Sequence, residues 1–369
     1  MKIIIYFLLS FSLFAAKNYN TNLNNNNVNT NNIDYKKGKD SFIFIPGYSY
    51  SSGVGSNVSG TFLYYDKKYS SSFPNSFKTK VNYGSNKQFS FSFSHSRYFF
   101  NQNYQLSVYF TTGRYARSIY FPMGASSSKD SSEDYTSSDN NFSIDFRVKK
   151  YKGFYFGPTY TFAHYKITKS EKDGVLDNHE INGSKNTIAS GLGLIISKEK
   201  RENSYYPTYG YYISLNNYIY PQVLGASTPY DSMAFNFKTF HPIYNKIIFA
   251  FQIYARAVFG DAPFQKMSQL GSDSLLRGYS SYKYVDRRFF GSQFEIRFPI
   301  FWRLAGTVFA GTSQVANSVL NYFDTPWKYS AGFGFRFRLD PKDNINFRLD
   351  FAYNQDGDMY MYITTLEAF

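Results

Sequence analysis

The chain has 369 residues, 40 of them Lys or Arg and 26 Asp or Glu, for a formal charge of +14; 21% are aromatic and none is Cys. Mean hydropathy is −0.42, and past the N-terminus no run of about 18 apolar residues occurs, so a helical membrane span is excluded. The lack of Cys excludes a lipoprotein anchor, and the basic residues are scattered along strand-like segments rather than gathered into the patch that nucleic-acid binding needs.

Met1 to Ala16 reads as a signal peptide, with Lys2 as the positive end, Ile3 to Phe14 as the apolar core and Ala15-Ala16 as the small-residue end. Lys17 to Asp40 is Asn-rich, cannot bury a core, and is expected to be a flexible linker.

From Ser41 to Phe369 the chain alternates. In Ile345 to Tyr353 the odd positions are apolar or aromatic and the even ones are Asn, Arg, Asp and Ala. Phe333, Phe335, Phe337 and Leu339 alternate in the same way with Gly332, Gly334, Arg336 and Arg338, and Phe89, Phe91 and Phe93 with Ser90, Ser92 and Ser94. A strand sends successive side chains to opposite faces, so each such strand has one greasy and one polar face. The greasy faces are Phe-rich throughout, more than the core of one soluble domain could cover. The pattern therefore predicts an all-β fold: a transmembrane antiparallel β-barrel in a bacterial outer membrane, with lipid outside and a charged lumen inside.

The predicted strands are 41–48, 54–66, 73–84, 88–100, 103–112, 142–150, 153–168, 186–199, 207–218, 232–241, 245–258, 288–299, 303–314, 327–338, 343–353 and 359–369, about sixteen in all. Connections after even-numbered strands are short, as at Tyr151-Lys152 and Phe301-Trp302. The long ones, 113–141, 169–185, 219–231 and 259–287, follow odd-numbered strands. That asymmetry predicts periplasmic short turns, extracellular long loops and both barrel termini in the periplasm. Ser126 to Asn141, rich in Ser and Asp, is expected to be a mobile loop. Lys169 to Lys185 carries Glu171, Asp173, Asp177 and Glu180, in a spacing that matches no Ca²⁺ loop.

The 259–287 loop is of a length that a compact β domain must explain. It contains Leu276-Arg277-Gly278-Tyr279, and the strand that follows reads Gly291-Ser292-Gln293-Phe294-Glu295-Ile296-Arg297-Phe298-Pro299. Here the chain resembles the BamA/TamA-type outer-membrane protein superfamily, also called the bacterial surface antigen family. That family has a sixteen-stranded barrel whose sixth extracellular loop carries an (L/V)-R-G-(F/Y) tip folded into the lumen, and a following G-x-x-x-E-x-R-x-P strand. Further matches are Pro46 to Gly55, Tyr206-Pro207-Thr208-Tyr209-Gly210, and the ending Leu366-Glu367-Ala368-Phe369. The resemblance implies that Arg277 pairs with Glu295, and that Phe369 serves as the signal read by the barrel assembly machinery. The family often has a second acid where this chain has Gly311, so Arg277 rests on Glu295 alone or on Asp350 across the lumen. Family members that insert or secrete proteins carry periplasmic POTRA domains; residues 17–40 are too few for one, so a barrel-only member is expected.

The other lumen charges expected from alternation are Arg147, Arg256, Arg297, Arg336, Arg338 and Arg348. They suit either an anion-preferring passage or a polar network that closes the lumen; a folded-in loop favours the network. On the last strand Met361, Ile363, Thr365, Glu367 and Phe369 share a face, which puts Glu367 at the periplasmic boundary of the lipid, where a charge costs little. No catalytic residue, metal site or cofactor is expected: in Ser94-His95-Ser96 a strand turns Ser and His to opposite faces. Three functions stay open. They are assisted insertion or translocation of a surface protein or lipid through a weak seam between first and last strands, a passive or gated pore, and a surface-exposed structural or adhesive antigen. The expected partners are outer-membrane lipid and lipopolysaccharide, the assembly machinery, and an unknown client; nucleic acid is not among them.

Overall fold

The computed structural model describes residues 41–51, 55–66, 75–128, 130–244, 246–280, 282–340 and 345–369. The predicted signal segment 1–16 and linker 17–40 lie outside the described residues. Strands run in chain order: β1 Ser41–Ser51, β2 Gly55–Asp66, β3 Asn75–Gly84, β4 Gln88–Phe99, β5 Tyr104–Tyr120, β6 Ser132–Lys149, β7 Tyr155–Lys169, β8 Thr187–Glu199 and β9 Gly210–Tyr220. They continue as β10 Tyr230–Tyr244, β11 Ile247–Gly260, β12 Ser268–Gln269, β13 Val285–Asp286, β14 Arg288–Phe301, β15 Leu304–Ala316, β16 Lys328–Asp340, β17 Ile345–Asn354 and β18 Met359–Thr365. Sixteen of them close an antiparallel barrel, each paired with its neighbours in sequence; β12 and β13 form a small separate ladder inside the loop between β11 and β14.

The faces are inverted relative to a soluble protein. Phe333 is 43% exposed while Arg336, three residues on, is 1% exposed. Phe294 is likewise exposed and its neighbours Gln293 and Glu295 are buried. Burying charge and exposing Phe is favourable only where hydrocarbon lies outside and a partnered polar network lies inside. Phe100, Tyr151, Tyr244, Phe301 and Trp302 stand exposed at the turns of one end, the aromatic belt expected at a membrane boundary. Cross-strand rings such as Phe333 and Phe351, with centroids 5.3 Å apart, knit the outer face.

Three expectations need correction. Ser126 to Asn141 is not one long loop: from Ser132 onward it is β6, paired with β5 through seventeen residue pairs from Tyr104↔Val148 to Tyr120↔Ser132. Hydropathy reading misses this because the strand continues past the lipid, where its outer face need not be apolar. Its inward residues Glu133, Tyr135, Ser137 and Asp139 are buried by the overlying loops. Ile119, Tyr135, Leu176 and Phe264 form an apolar cluster there, and the Glu133 carboxylate accepts from the Leu176 N–H at 3.2 Å.

The second correction concerns 207–209. The strand begins only at Gly210, whose φ of +100° is one only Gly adopts cheaply. The preceding segment is held by Glu202, which accepts from the Thr208 N–H and hydroxyl, and it buries Tyr206.

The third is the last strand. It stops at Thr365; Leu366 takes a left-handed φ of +65°, and the alternation breaks there. Glu367 and Phe369 are therefore not on the lipid face. Phe369 packs in the barrel with Phe240, Ala250 and Ala368, and Glu367 accepts from Arg336 Nε at 2.7 Å and Asn346 Nδ2 at 2.8 Å.

The ring of strands is unequal in strength. Eleven residue pairs join β1 to β2, and seven join β17 to β18. Among the described residues only two, Ser49↔Tyr362 and Tyr50↔Met361, join β1 to β18. At about 0.5–1.5 kcal/mol net per hydrogen bond, this seam is the weakest line in the barrel.

The extended β5–β6 pair is testable. Backbone amides of Tyr135 to Asn141 should exchange hydrogen far more slowly than those of Glu171 to Asp177 in detergent-solubilised protein. Equal rates would restore the mobile-loop reading.

Candidate functional site in the lumen

The loop between β11 and β14 enters the lumen in stages. Pro263 opens a single 3₁₀ turn, Phe264–Lys266, and the β12–β13 ladder follows. Arg256 on β11 donates to the carbonyls of Lys266 at 2.7 Å and Met267 at 3.3 Å, which fastens the descending arm to the wall. At the tip Ser272 closes a turn: its hydroxyl accepts from the Leu275 N–H at 2.8 Å, and its N–H donates to the Leu275 carbonyl at 3.0 Å.

Each residue of Leu276-Arg277-Gly278-Tyr279 has a separate task. Leu276 packs with Leu270, Tyr279, Tyr284, Phe289 and Val315 in an apolar cluster between loop and wall. It does so at φ +48°, a strained conformation for a γ-branched residue that the Gln293 amide supports by accepting its N–H at 3.3 Å. Gly278 sits at φ +108°. Its N–H donates to the Tyr362 hydroxyl at 3.0 Å, and its carbonyl accepts from Asn354 Nδ2 at 2.7 Å. The Tyr279 hydroxyl donates to the Tyr329 carbonyl at 2.8 Å.

Arg277 is 0% exposed. Its Nη2 meets Glu295 Oε2 at 2.7 Å and its Nη1 meets Asp350 Oδ2 at 2.5 Å, so one guanidinium bridges β14 and β17. Its Cζ lies 3.4 Å from the centre of the Phe309 ring. Phe309 was not among the residues singled out from sequence: both faces of β15 mix small, polar and apolar residues, so the alternation gave no signal for it. Gly311 leaves room for the tip: a Cβ there would come within 3.1 Å of Leu276 Cδ1 and 2.9 Å of the Ser292 carbonyl. With the usual second acid replaced by Gly311, Asp350 supplies the other carboxylate.

Three of the other arginines join this cluster. Arg297 Nε meets Glu295 at 2.7 Å and its Nη2 donates to the Phe369 backbone oxygen at 3.1 Å. Arg336 meets Asp350 at 2.6 Å and Glu367 at 2.7 Å. Arg348 lies 3.5 Å from Asp350 and donates to the Asp273 carbonyl in the loop tip at 2.9 Å. Four guanidiniums thus face Glu295, Asp350 and Glu367 inside the lumen, with the exposed Asp273 at its edge. Carboxylates shared between forked guanidiniums are what let charge persist in a dry interior. The remaining arginines stand apart: Arg147 pairs with Asp145 at 2.7 Å, Arg256 holds the descending arm, and Arg338 lies over the Tyr206 ring at 5.3 Å.

His95 Nδ1 meets the Ser76 carbonyl at 3.0 Å, and His164 Nε2 meets Asn186. Among the described residues no group of three or more His, Cys, Asp or Glu could hold a metal ion.

The sequence profile of the Omp85 superfamily domain matches residues 74–361. BamA from Haemophilus ducreyi, solved without its POTRA domains 1–3, superposes with a TM-score of 0.57 at 15% identity, covering 89% of this chain and 70% of that one. CdiB from Acinetobacter baumannii gives 0.55 at 10% identity, covering 89% of this chain and 60% of its own. CdiB from Escherichia coli gives 0.57 at 10%, covering 87% and 62%. This chain therefore spans less than two thirds of either CdiB chain. At such identities the superpositions speak for the fold alone. No functionally curated protein matches the chain.

Two substitutions probe the cluster. Arg277→Ala takes one guanidinium from both Glu295 and Asp350, leaving them Arg297 and Arg336, and should cost about 3 kcal/mol, the low end for a broken buried pair. The loss is read as a lower midpoint in the heat-modifiability transition, and Arg277→Lys should recover only part of it because an ammonium lacks the planar fork. An unchanged midpoint for Arg277→Ala would mean that the apolar and backbone contacts hold the tip unaided. Gly311→Asp, which restores the acid commonly found there, should loosen the loop by about 1–3 kcal/mol through overpacking. Trypsin cleavage at Arg277 or Lys283 reports the loosening, and slower cleavage than wild type would contradict it.

Proposed function

This chain belongs to the Omp85 superfamily of outer-membrane β-barrels, and from that premise we propose that it assists the insertion or translocation of a surface protein or lipid through the seam between β1 and β18. The observation that carries the reading is the two-pair contact between those strands. From Ser41 to Tyr48 β1 is paired with β2 on one side, while β18 turns inward at Leu366 on the other. That leaves a strand edge, the feature to which an extended segment of another chain adds by backbone hydrogen bonding. Glu367, Ala368 and Phe369, which would have extended the pairing, are instead held in the lumen by Arg336, Asn346 and Arg297.

The same lumen disfavours an open pore. Arg277, Arg297, Arg336 and Arg348 are all buried in the lumen together with their carboxylates and the loop tip. In the proposed orientation the exposed aromatic turns lie at the periplasmic boundary, the long loops face outward, and lipopolysaccharide surrounds their base. Phe369 is buried in the closed barrel, so assembly machinery would read it before closure.

Locking the seam tests the proposal. Tyr50→Cys with Met361→Cys places a thiol pair at register partners, within the Cα separation a disulfide spans, and the chain has no other Cys. Met361 lies on the outer face, so the Tyr362 hydroxyl bond to Gly278 is preserved. Oxidised protein should fold to a heat-modifiable barrel, yet a deletion strain carrying it should lose its client from the surface, and reductant should restore it. Full client display with the seam oxidised would end the seam reading.

A further inference from the structure

Towards the long-loop end, six residues along β11 from the position that faces Glu295, loop and wall line a half-open cavity of about 390 Å³. The barrel supplies Tyr165, Tyr254 and Arg256; the loop supplies Lys266, Ser272 and Tyr282. The Arg277 cluster takes no part in it.

The charges around this space do not balance. Arg256 donates one hydrogen from each of Nη1 and Nη2 to loop carbonyls, and among the described residues no carboxylate pairs with it. Lys266 Nζ lies 5.6 Å from the centre of the Tyr165 ring, and among the described residues no carboxylate lies within ion-pair distance of it. The acid that acts on it electrostatically, Asp139, is already taken by Arg117 at 2.6 Å. Burial, with Arg256 beside it, pushes the Lys266 ammonium down to about 8. Two cations thus face a partly enclosed space without a carboxylate, an arrangement that a bound anion stabilises. The remaining lining is aromatic faces interleaved with hydroxyl and amide groups. That combination suits a ring with apolar C–H faces and several hydroxyls, and the volume is that of a small-molecule site.

We propose that this cavity binds an anionic saccharide, a pyranose bearing a phosphate or carboxylate, with the anion between Lys266 and Arg256 and the sugar ring against Tyr254 and Tyr282. The two sides of the site belong to different parts of the chain, so the ligand ties the loop's descending arm to β7 and β11. The ligand is either a free sugar phosphate or the phosphorylated headgroup of a glycolipid; both present the same chemistry to the cavity.

The test is isothermal titration of the full chain in detergent micelles with α-D-glucose 1-phosphate, and in parallel with a detergent-dispersed glycolipid carrying a phosphorylated glucosamine headgroup. Saturable binding of either, at least tenfold weaker for Lys266→Met and unchanged for the exposed-loop control Lys172→Met, supports the site; the tighter ligand identifies the source. Methyl α-glucoside should bind at least tenfold more weakly than the sugar phosphate. This comparison uses wild-type protein and stands even if Lys266→Met misfolds. Absence of saturable binding in both arms, equal affinity of folded Lys266→Met, or inorganic phosphate binding as tightly as the sugar phosphate would each overturn the proposal.

Discussion

One guanidinium organises the inside of this barrel. Arg277 reaches from the loop tip to Glu295 on β14 and Asp350 on β17 while its Cζ lies over the Phe309 ring on β15. Buried charges are tolerated only when each finds an opposite charge in good geometry, so every further member of the cluster is constrained by this one. Arg297 and Arg336 share the same carboxylates, and Arg348 reaches back to the tip through Asp273. The partners of the tip come from β14 to β18. The loop therefore braces the last five strands of the barrel into one panel.

That bracing bears on where the ring yields. A closed barrel has no edge unless one pairing is weak, and here the weak one lies where the braced panel meets β1. The inward turn at Leu366 is the local cause: a left-handed residue ends β18 early, and Glu367 exchanges a place near lipid for two hydrogen bonds in the lumen. The departure at Gly311 fits the same picture. A side chain there would collide with Leu276, and the carboxylate it would have supplied comes from Asp350, on a strand nearer the seam.

Strand number and facing were legible because lipid imposes a period of two that no soluble core would repeat so often. Phe333, Phe335 and Phe337 against Gly334, Arg336 and Arg338 could be assigned to faces without any knowledge of contacts. The period disappears wherever lipid does. Ser132 to Asn141 has no greasy face, since it stands beyond the membrane and is stabilised by the loops packed on it. Residues 207–209 and 366–369 continue the alternation in sequence but leave the wall in space, and Phe309 looked like an ordinary strand aromatic until the loop tip came to rest on it.

What the amino-acid sequence determined by itself was therefore everything that depends on one strand and its solvent: an all-β membrane barrel, the inward set of Glu295, Arg297, Arg336, Arg348 and Asp350, and a polar loop whose motif resembled a known family's. Tertiary structure alone decided what depends on elements distant in the chain meeting each other. It decided that Arg277 bridges two carboxylates rather than one, that Glu367 turns inward, that the ring is weakest at its seam, and that Lys266 and Arg256 share a cavity without an acid. The physical reason is that alternation is a local response to lipid. Partner choice in the lumen is a collective solution to desolvating four guanidiniums and three carboxylates at once, and no single segment of the sequence contains it.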